Sequence, residues 1–229
     1  MSIRAIRSSP LRELLASVGV LTVLPVAVTP TRRWSVLGFA PLVGLLLGGV
    51  AAGLVAGGRL LFPGTAGALL TAAGTIGALA LLTRGLHLDG LADTADGLGK
   101  LGPAQASLAV MRRPDIGPFG VATVLLVLLA DVFALARDIT LDRGPLSILV
   151  AVTCGRLALL QAGVPGVPAA RAEGLGAWVA ESIPRAAAWS ITSLALVASL
   201  LPAAVGQVAI GVRATAAIVI GCLAAIVMR

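Results

Sequence analysis

The chain has 229 residues, of which 58% are hydrophobic and only 12% charged, and its mean hydropathy is +1.03. A soluble domain carries about 25% charged residues, so there is too little polar surface here to cover a globule in water, and lipid must be the solvent for much of the chain. The formal charge of +7 does not point to nucleic acid, because the basic residues are scattered through short connectors instead of forming a stripe.

In chain order, the first basic residues are Arg4, Arg7 and Arg12, ahead of an apolar run. That run has the look of a signal peptide, but it contains Val23-Leu24-Pro25-Val26 and no clear small-x-small cleavage site, so its retention is expected. Residues 14–29 are apolar but short and hold Pro25, which predicts an interfacial or re-entrant segment. A span needs about 20 mainly apolar residues. Segments of that kind are predicted at 36–57, 64–83, 118–136, 146–163 and 188–206, with another near 208–228 that Arg213 interrupts. The expected fold is therefore all-α, a polytopic transmembrane helical bundle of about six spans forming one membrane domain, 1–229. Abundant Gly and Ala suit close helix packing in lipid. Cys154 and Cys222 lie in apolar stretches without Cys or His at ligand spacing, and read as buried thiols.

Charge predicts orientation. The polar segment 84–117 holds Arg84, Lys100, Arg112 and Arg113, and the connector before the first span holds Arg32 and Arg33. The connector 137–145 balances Arg137 and Arg143 with Asp138 and Asp142. The segment 84–117 is thus expected at the cytoplasmic face of the cell membrane. Asp131, inside an apolar span, is a functional candidate by position, or a partner for a basic residue such as Arg156.

The chemistry-bearing stretch is His87-Leu-Asp-Gly-Leu-Ala-Asp-Thr-Ala-Asp-Gly97. Of only ten acidic residues in the chain, Asp89, Asp93 and Asp96 fall together at the end of a hydrophobic segment. Carboxylates there repel one another and resist desolvation unless something positive compensates. On a helix their directions fall within about 60° of each other. Three oxygen donors on one face suit Mg²⁺ or Mn²⁺, with phosphate oxygens completing the shell. Gly90 and Gly97 would let a phosphate ligand or a neighbouring helix approach closely. The plainer alternative is a solvated helix end, against which stands the absence of Lys or Glu among the intervening residues.

His87, the one histidine, is a candidate ligand, general acid or base, or phosphate-positioning group, and equally an interfacial hydrogen-bonding residue. Arg84, three residues earlier, would share its helical side and balance phosphate charge, or simply anchor orientation. A second polar patch follows, Met111-Arg-Arg-Pro-Asp-Ile-Gly-Pro-Phe-Gly120. Arg112 and Arg113 suit phosphate and Asp115 suits a metal, although the patch also reads as a turn into the next span. The connector 164–187, with Arg171, Glu173, Gly174 and Gly176, is a further candidate for substrate contacts.

Residues 84–97, Arg-Gly-Leu-His-Leu-Asp-Gly-Leu-Ala-Asp-Thr-Ala-Asp-Gly, resemble the signature of the cobalamin synthase family (adenosylcobinamide-GDP ribazoletransferases). Residues 109–121 resemble its second motif, and weaker likenesses occur at Leu21–Pro25, Pro41–Gly44 and Ala170–Gly176. The resemblance implies a Mg²⁺-requiring membrane enzyme. It would join adenosylcobinamide-GDP to α-ribazole or its 5′-phosphate, giving adenosylcobalamin or its 5′-phosphate and GMP. It further implies that Asp89, Asp93 and Asp96 hold the metal on the diphosphate, one of them or His87 takes the hydroxyl proton, and Arg84 and Arg112 offset charge. Lipid and the two substrates are the expected partners, and no feature dictates an oligomeric state.

Two departures accompany the resemblance. Where the family has Asp two residues after the motif's Met, this chain has Arg113, with Asp115 two residues beyond. The family's later Gly-Gly-x-Thr-Gly-Asp segment has no counterpart in 208–229, which reads as truncation or divergence. Two other classes compete. A CDP-alcohol phosphotransferase would show Asp-x-x-Asp-Gly-x-x-Ala-Arg, absent here, and an ion-coupled transporter would carry its charges at midplane helix breaks, whereas this cluster lies at a span end.

Overall fold

The computed structural model describes residues 9–30, 32–166, 168–170, 172–199 and 208–227, and all regular structure among them is helical. In chain order the helices are α1 (Pro10–Leu21), α2 (Ser35–Gly38), α3 (Ala40–Leu61), α4 (Gly64–Leu82), α5 (Leu86–Gly99) and α6 (Ala104–Val110). They continue with α7 (Pro118–Thr140), α8 (Gly144–Ala162), α9 (Leu175–Val179), α10 (Arg185–Ala198) and α11 (Val208–Val227). The all-α, polytopic expectation holds. Helices α3, α4, α7 and α8, of 22, 19, 23 and 19 residues, are long and apolar enough to cross a bilayer. Of the remaining expected spans, 188–206 is helical to Ala198, with its part from 200 onward lying outside the described residues, while 208–228 is the 20-residue α11.

The N-terminal apolar run folds as predicted for a segment that does not cross. Helix α1 has 12 residues, a rise of about 18 Å against a hydrocarbon thickness of about 30 Å. Ser9 starts it, its hydroxyl accepting the Arg12 amide at 3.2 Å, with Pro10 in the first turn. Such a start satisfies one of the otherwise orphaned N–H groups. The Ser17 hydroxyl then ties α1 to the carbonyl of Val36 at 2.9 Å. Arg4 and Arg7 lie outside the described residues.

Helix α3 shows how the chain handles lipid. Its buried stripe, Ala40, Val43, Gly44, Leu47, Gly48, Ala51 and Val55, consists largely of small residues, while Leu42, Leu45, Leu46, Val50 and Leu54 point outward. In water that pattern would expose a large apolar surface; in a bilayer it costs nothing, and association rests on close packing of small residues.

Two compact units are distinguished, residues 1–49 with 149–229, and residues 50–148. In the first, Gly44 and Gly48 let α3 lie directly on α8. A Cβ at Gly44 would come within 3.1 Å of the Thr153 Cα, and one at Gly48 within 3.1 Å of the Leu149 Cα. Leu37, Leu157, Leu160, Ile183, Ala188 and Ile218 form the core, with Cys154 and Cys222 beside them as the free, buried thiols expected. Hydrogen bonds between side chains also join helices of this unit. The Gln161 amide donates to the Thr192 hydroxyl at 2.9 Å, and the Ser199 and Thr215 hydroxyls meet at 2.7 Å.

In the second unit, α4 runs along α7, and α5 packs on both α6 and α7. Gly58 gives room to the side chain of Thr71 at the α3–α4 hairpin. Helix α7 ends at Thr140 with Arg143 N donating to Asp138 O at 2.8 Å and Asp142 N to Ile139 O at 3.2 Å. Those paired bonds close the helix with Asp142 in the left-handed region, and its carboxylate meets Arg59 of α3 in an ion pair. Asp131 is exposed along α7.

Crowding at one glycine should therefore distinguish the buried stripe from its neighbour. Gly48→Val is expected to lower stability by roughly 1–3 kcal/mol through overpacking, read as a lower unfolding midpoint in detergent micelles. Gly49→Val, where an added Cβ meets nothing within 4 Å, should leave the midpoint unchanged.

Candidate active site

The acidic segment becomes a helix because the chain breaks and restarts immediately before it. Helix α4 closes with Gly85 N donating to Ala80 O at 2.8 Å and Arg84 N to Leu81 O at 3.0 Å. This paired closure requires a left-handed residue after the helix cap, a place usually taken by Gly. Here Arg84 occupies it with φ 56°, and Gly85 follows with φ 66°. A left-handed non-glycine residue costs roughly 1–2 kcal/mol, so Arg84 is held in its turn by the structure around it. The expected face shared by Arg84 and His87 on one helix is thereby corrected. Arg84 belongs to the turn, whereas His87 lies in the first turn of α5.

Asp89, Asp93 and Asp96 all lie on α5, as the spacing predicts. Asp89 is exposed, while His87, Asp93 and Asp96 are half-buried. Gly90 is exposed and a Cβ there would meet nothing within 4 Å, so that surface stays open to a ligand. Among the described residues no group of three or more His, Cys, Asp or Glu side chains is gathered so as to hold a metal ion.

Asp96 has a role that the spacing alone does not reveal. One of its carboxylate oxygens accepts the Gly117 amide at 2.7 Å and the other accepts the Gly120 amide at 2.8 Å. Gly117 is the residue before the first turn of α7, and Pro118 opens that turn. A helix start leaves N–H groups without intrahelical partners and carries a partial positive charge. With no side chain of its own, Gly117 cannot satisfy them. A carboxylate from another helix does so, in charge-assisted bonds. The signal for this arrangement is the Gly117-Pro118 pair, a helix start that needs an acceptor from elsewhere.

Glycines make the approach possible from both sides. A Cβ at Gly117 or Gly120 would collide with the Asp96 carboxylate. A Cβ at Gly97 would come within 2.7 Å of the Met111 Cγ, and one at Gly99 within 2.7 Å of the Phe119 Cδ2. The two sequence motifs therefore interlock, each supplying glycines that admit the other's side chains. Of the two glycines assigned to close approach, Gly97 serves a neighbouring side chain and Gly90 faces open space.

Between α6 and α7, residues Arg112, Arg113, Pro114, Asp115 and Ile116 are all exposed. Arg112 and Asp115 are thus in the same unit as α5, on the loop that leads to the Asp96-capped turn. The connector 164–187 lies in the other unit, with Arg171 outside the described residues. There Arg33, read from sequence only as an orienting charge, donates to the carbonyls of Trp178 at 2.6 Å, Ala177 at 3.0 Å and Ala180 at 3.3 Å. A cation on the last carbonyls of a helix matches their partial negative charge. Glu181 accepts the Gly166 amide at 3.0 Å, and Arg185 donates to Pro165 O at 2.9 Å, so both ends of the connector are tied down.

Comparison with known proteins adds names to this geometry. The family model described as cobalamin-5-phosphate synthase matches residues 13–229. An adenosylcobinamide-GDP ribazoletransferase of Frankia casuarinae is 47% identical over 167 residues, which cover 70% of this chain and 60% of that protein. A protein of the same name from a Nocardioides species is 42% identical over 197 residues, 83% of this chain and 79% of its own length. Another from Pseudomonas fluorescens is 40% identical, covering 79% of this chain and 74% of that one. No solved structure matches.

Replacing Asp96 by Asn should separate its role from that of Asp89. The amide offers one acceptor where the junction uses two, and turns an NH₂ group toward a backbone N–H. Asp96→Asn is expected to cost about 1–3 kcal/mol of stability, while Asp89→Asn, at an exposed position, should unfold at the same denaturant midpoint as the unmodified chain.

Proposed function

The chain belongs to the cobalamin-5-phosphate synthase family, and from that premise we propose that it acts as an adenosylcobinamide-GDP ribazoletransferase, the name its relatives carry. In this reading it joins adenosylcobinamide-GDP to α-ribazole or α-ribazole 5′-phosphate. The alcohol oxygen forms a bond to the phosphorus that bears the cobinamide, the bond from that phosphorus to GMP breaks, and GMP leaves. The observation that carries the reading is the interlock of α5 with the start of α7. The two stretches with the family's signature are also the two that Asp96 and the facing glycines join.

The donor chemistry of α5 suits Mg²⁺. That ion takes hard oxygen ligands, and at phosphate sites it uses one or two carboxylates with water and phosphate oxygens supplying the rest. Asp89 and Asp93, one turn apart on α5, are the residues we assign to it, with Asp96 on the same helical face holding α7 in place beside them. When bound, the ion would neutralise the diphosphate and the charge that builds on the departing GMP. The protein's own groups do the remainder. Arg84, fixed in its left-handed turn, and Arg112, exposed on the α6–α7 loop, offset phosphate charge. His87 or one of the α5 carboxylates takes the hydroxyl proton as the new bond forms. Open space at Gly90 admits the diphosphate, and Asp115, exposed on the α6–α7 loop, is a further oxygen donor for substrate or metal. In this reading the site faces the cytoplasmic side of the cell membrane, which the basic residues of segment 84–117 support.

The test is a product assay on the chain reconstituted in vesicles, supplied with adenosylcobinamide-GDP and α-ribazole. GMP and the cobalamin should appear together with Mg²⁺ and vanish with a chelator. Asp89→Asn and Asp93→Asn should each lose at least about tenfold in turnover, the equivalent of about 1.4 kcal/mol in barrier. Equal turnover in both variants, with no need for a divalent ion, would contradict the assignment.

A further inference from the structure

We propose that the end of α5, the α6–α7 loop and the first turn of α7 form a basic, apolar anchor that docks on anionic lipid headgroups. Four large apolar side chains here lie open. Leu98 is 76% exposed, Leu101 93%, Ile116 56% and Phe119 60%. They come from separate stretches that the structure joins. Met111 sits against Gly97 and the Phe119 ring against Gly99, so the loop and the α7 start both flank the end of α5.

Depth follows from the same contacts. Helix α7 begins at Pro118 and is long and apolar enough to cross the bilayer, so its first turn enters at the headgroup layer. Asp96 binds the amides of that turn, which puts the end of α5 at the same level. Leucines at that level face the boundary between headgroups and acyl chains, where burying apolar side chains is favourable.

Charge selects the occupant. Lys100, Arg112 and Arg113 are exposed in the same stretches of chain as these apolar side chains, against Asp115 as the one acid between residues 98 and 119. Exposed apolar side chains interspersed with Lys and Arg match an anionic lipid surface, with the long basic side chains reaching to phosphates. A second copy of the chain is a poor fit, because a symmetric contact would set this basic patch against itself.

The test uses the full chain with a spin label at Leu101→Cys, a site exposed enough that folding should be unaffected; the native Cys154 and Cys222 are buried. Vesicles of phosphatidylcholine alone are compared with vesicles that also contain phosphatidylglycerol. Relative collision rates with oxygen and a water-soluble nickel complex report depth. The expected result is headgroup-level depth with phosphatidylglycerol. It should shift toward water in phosphatidylcholine alone and when Lys100→Gln and Arg113→Gln are added. A label that is water-accessible in both lipids, or equally deep regardless of lipid and charge, would overturn the proposal. So would a label shielded from both reagents, or one whose dipolar broadening, relieved by unlabelled protein, reveals a second copy in contact.

Discussion

Asp96 commits both carboxylate oxygens to the start of α7, and the arrangement of the acidic segment depends on that bond pair. The constraint is electrostatic and steric together. A helix N-terminus without a side-chain cap draws an anion, and four glycines clear the space in which α5, α6 and α7 meet. At the other end of α5, the paired closure of α4 through Arg84 and Gly85 fixes where the helix begins. Between these two points the outward orientation of Asp89 follows from helix geometry.

This division of labour changes how the three aspartates are read. Their spacing treats them as equivalent, whereas the structure gives Asp96 a bonding partner from another helix and leaves Asp89 exposed. One carboxylate that holds the scaffold beside others that we propose face a ligand suits a site that must be kept rigid close to its reacting groups. The proposed lipid anchor extends the same logic. The helix that carries the acidic face is tied to a membrane span by Asp96 and rests on the lipid surface beside it.

Much of the fold was legible because lipid imposes a simple rule. Long runs of apolar residues must become helices when no water is present to satisfy the backbone, and α3, α4, α7 and α8 appear where those runs lie. The 12-residue α1 was likewise legible from the shortness of its run and from Pro25. Arg84 was misplaced because its left-handed backbone depends on closure of the preceding helix, which helical periodicity does not encode. The bond from Asp96 to α7 joins residues 21 and 24 positions apart, beyond the reach of any local pattern. Only Gly117-Pro118 hinted at it. Arg33 escaped for the same reason, since its carbonyl partners lie about 145 positions away.

Amide hydrogen exchange at the start of α7, followed residue by residue in micelles, is the most direct measurement of this central contact. N–H groups in the first turn of a helix ordinarily lack partners and exchange quickly. With Asp96 in place, the Gly117 and Gly120 amides should be strongly protected relative to Phe119 between them, and that protection should collapse in Asp96→Ala. Equal, rapid exchange at Gly117, Phe119 and Gly120 in the unmodified chain would contradict the account.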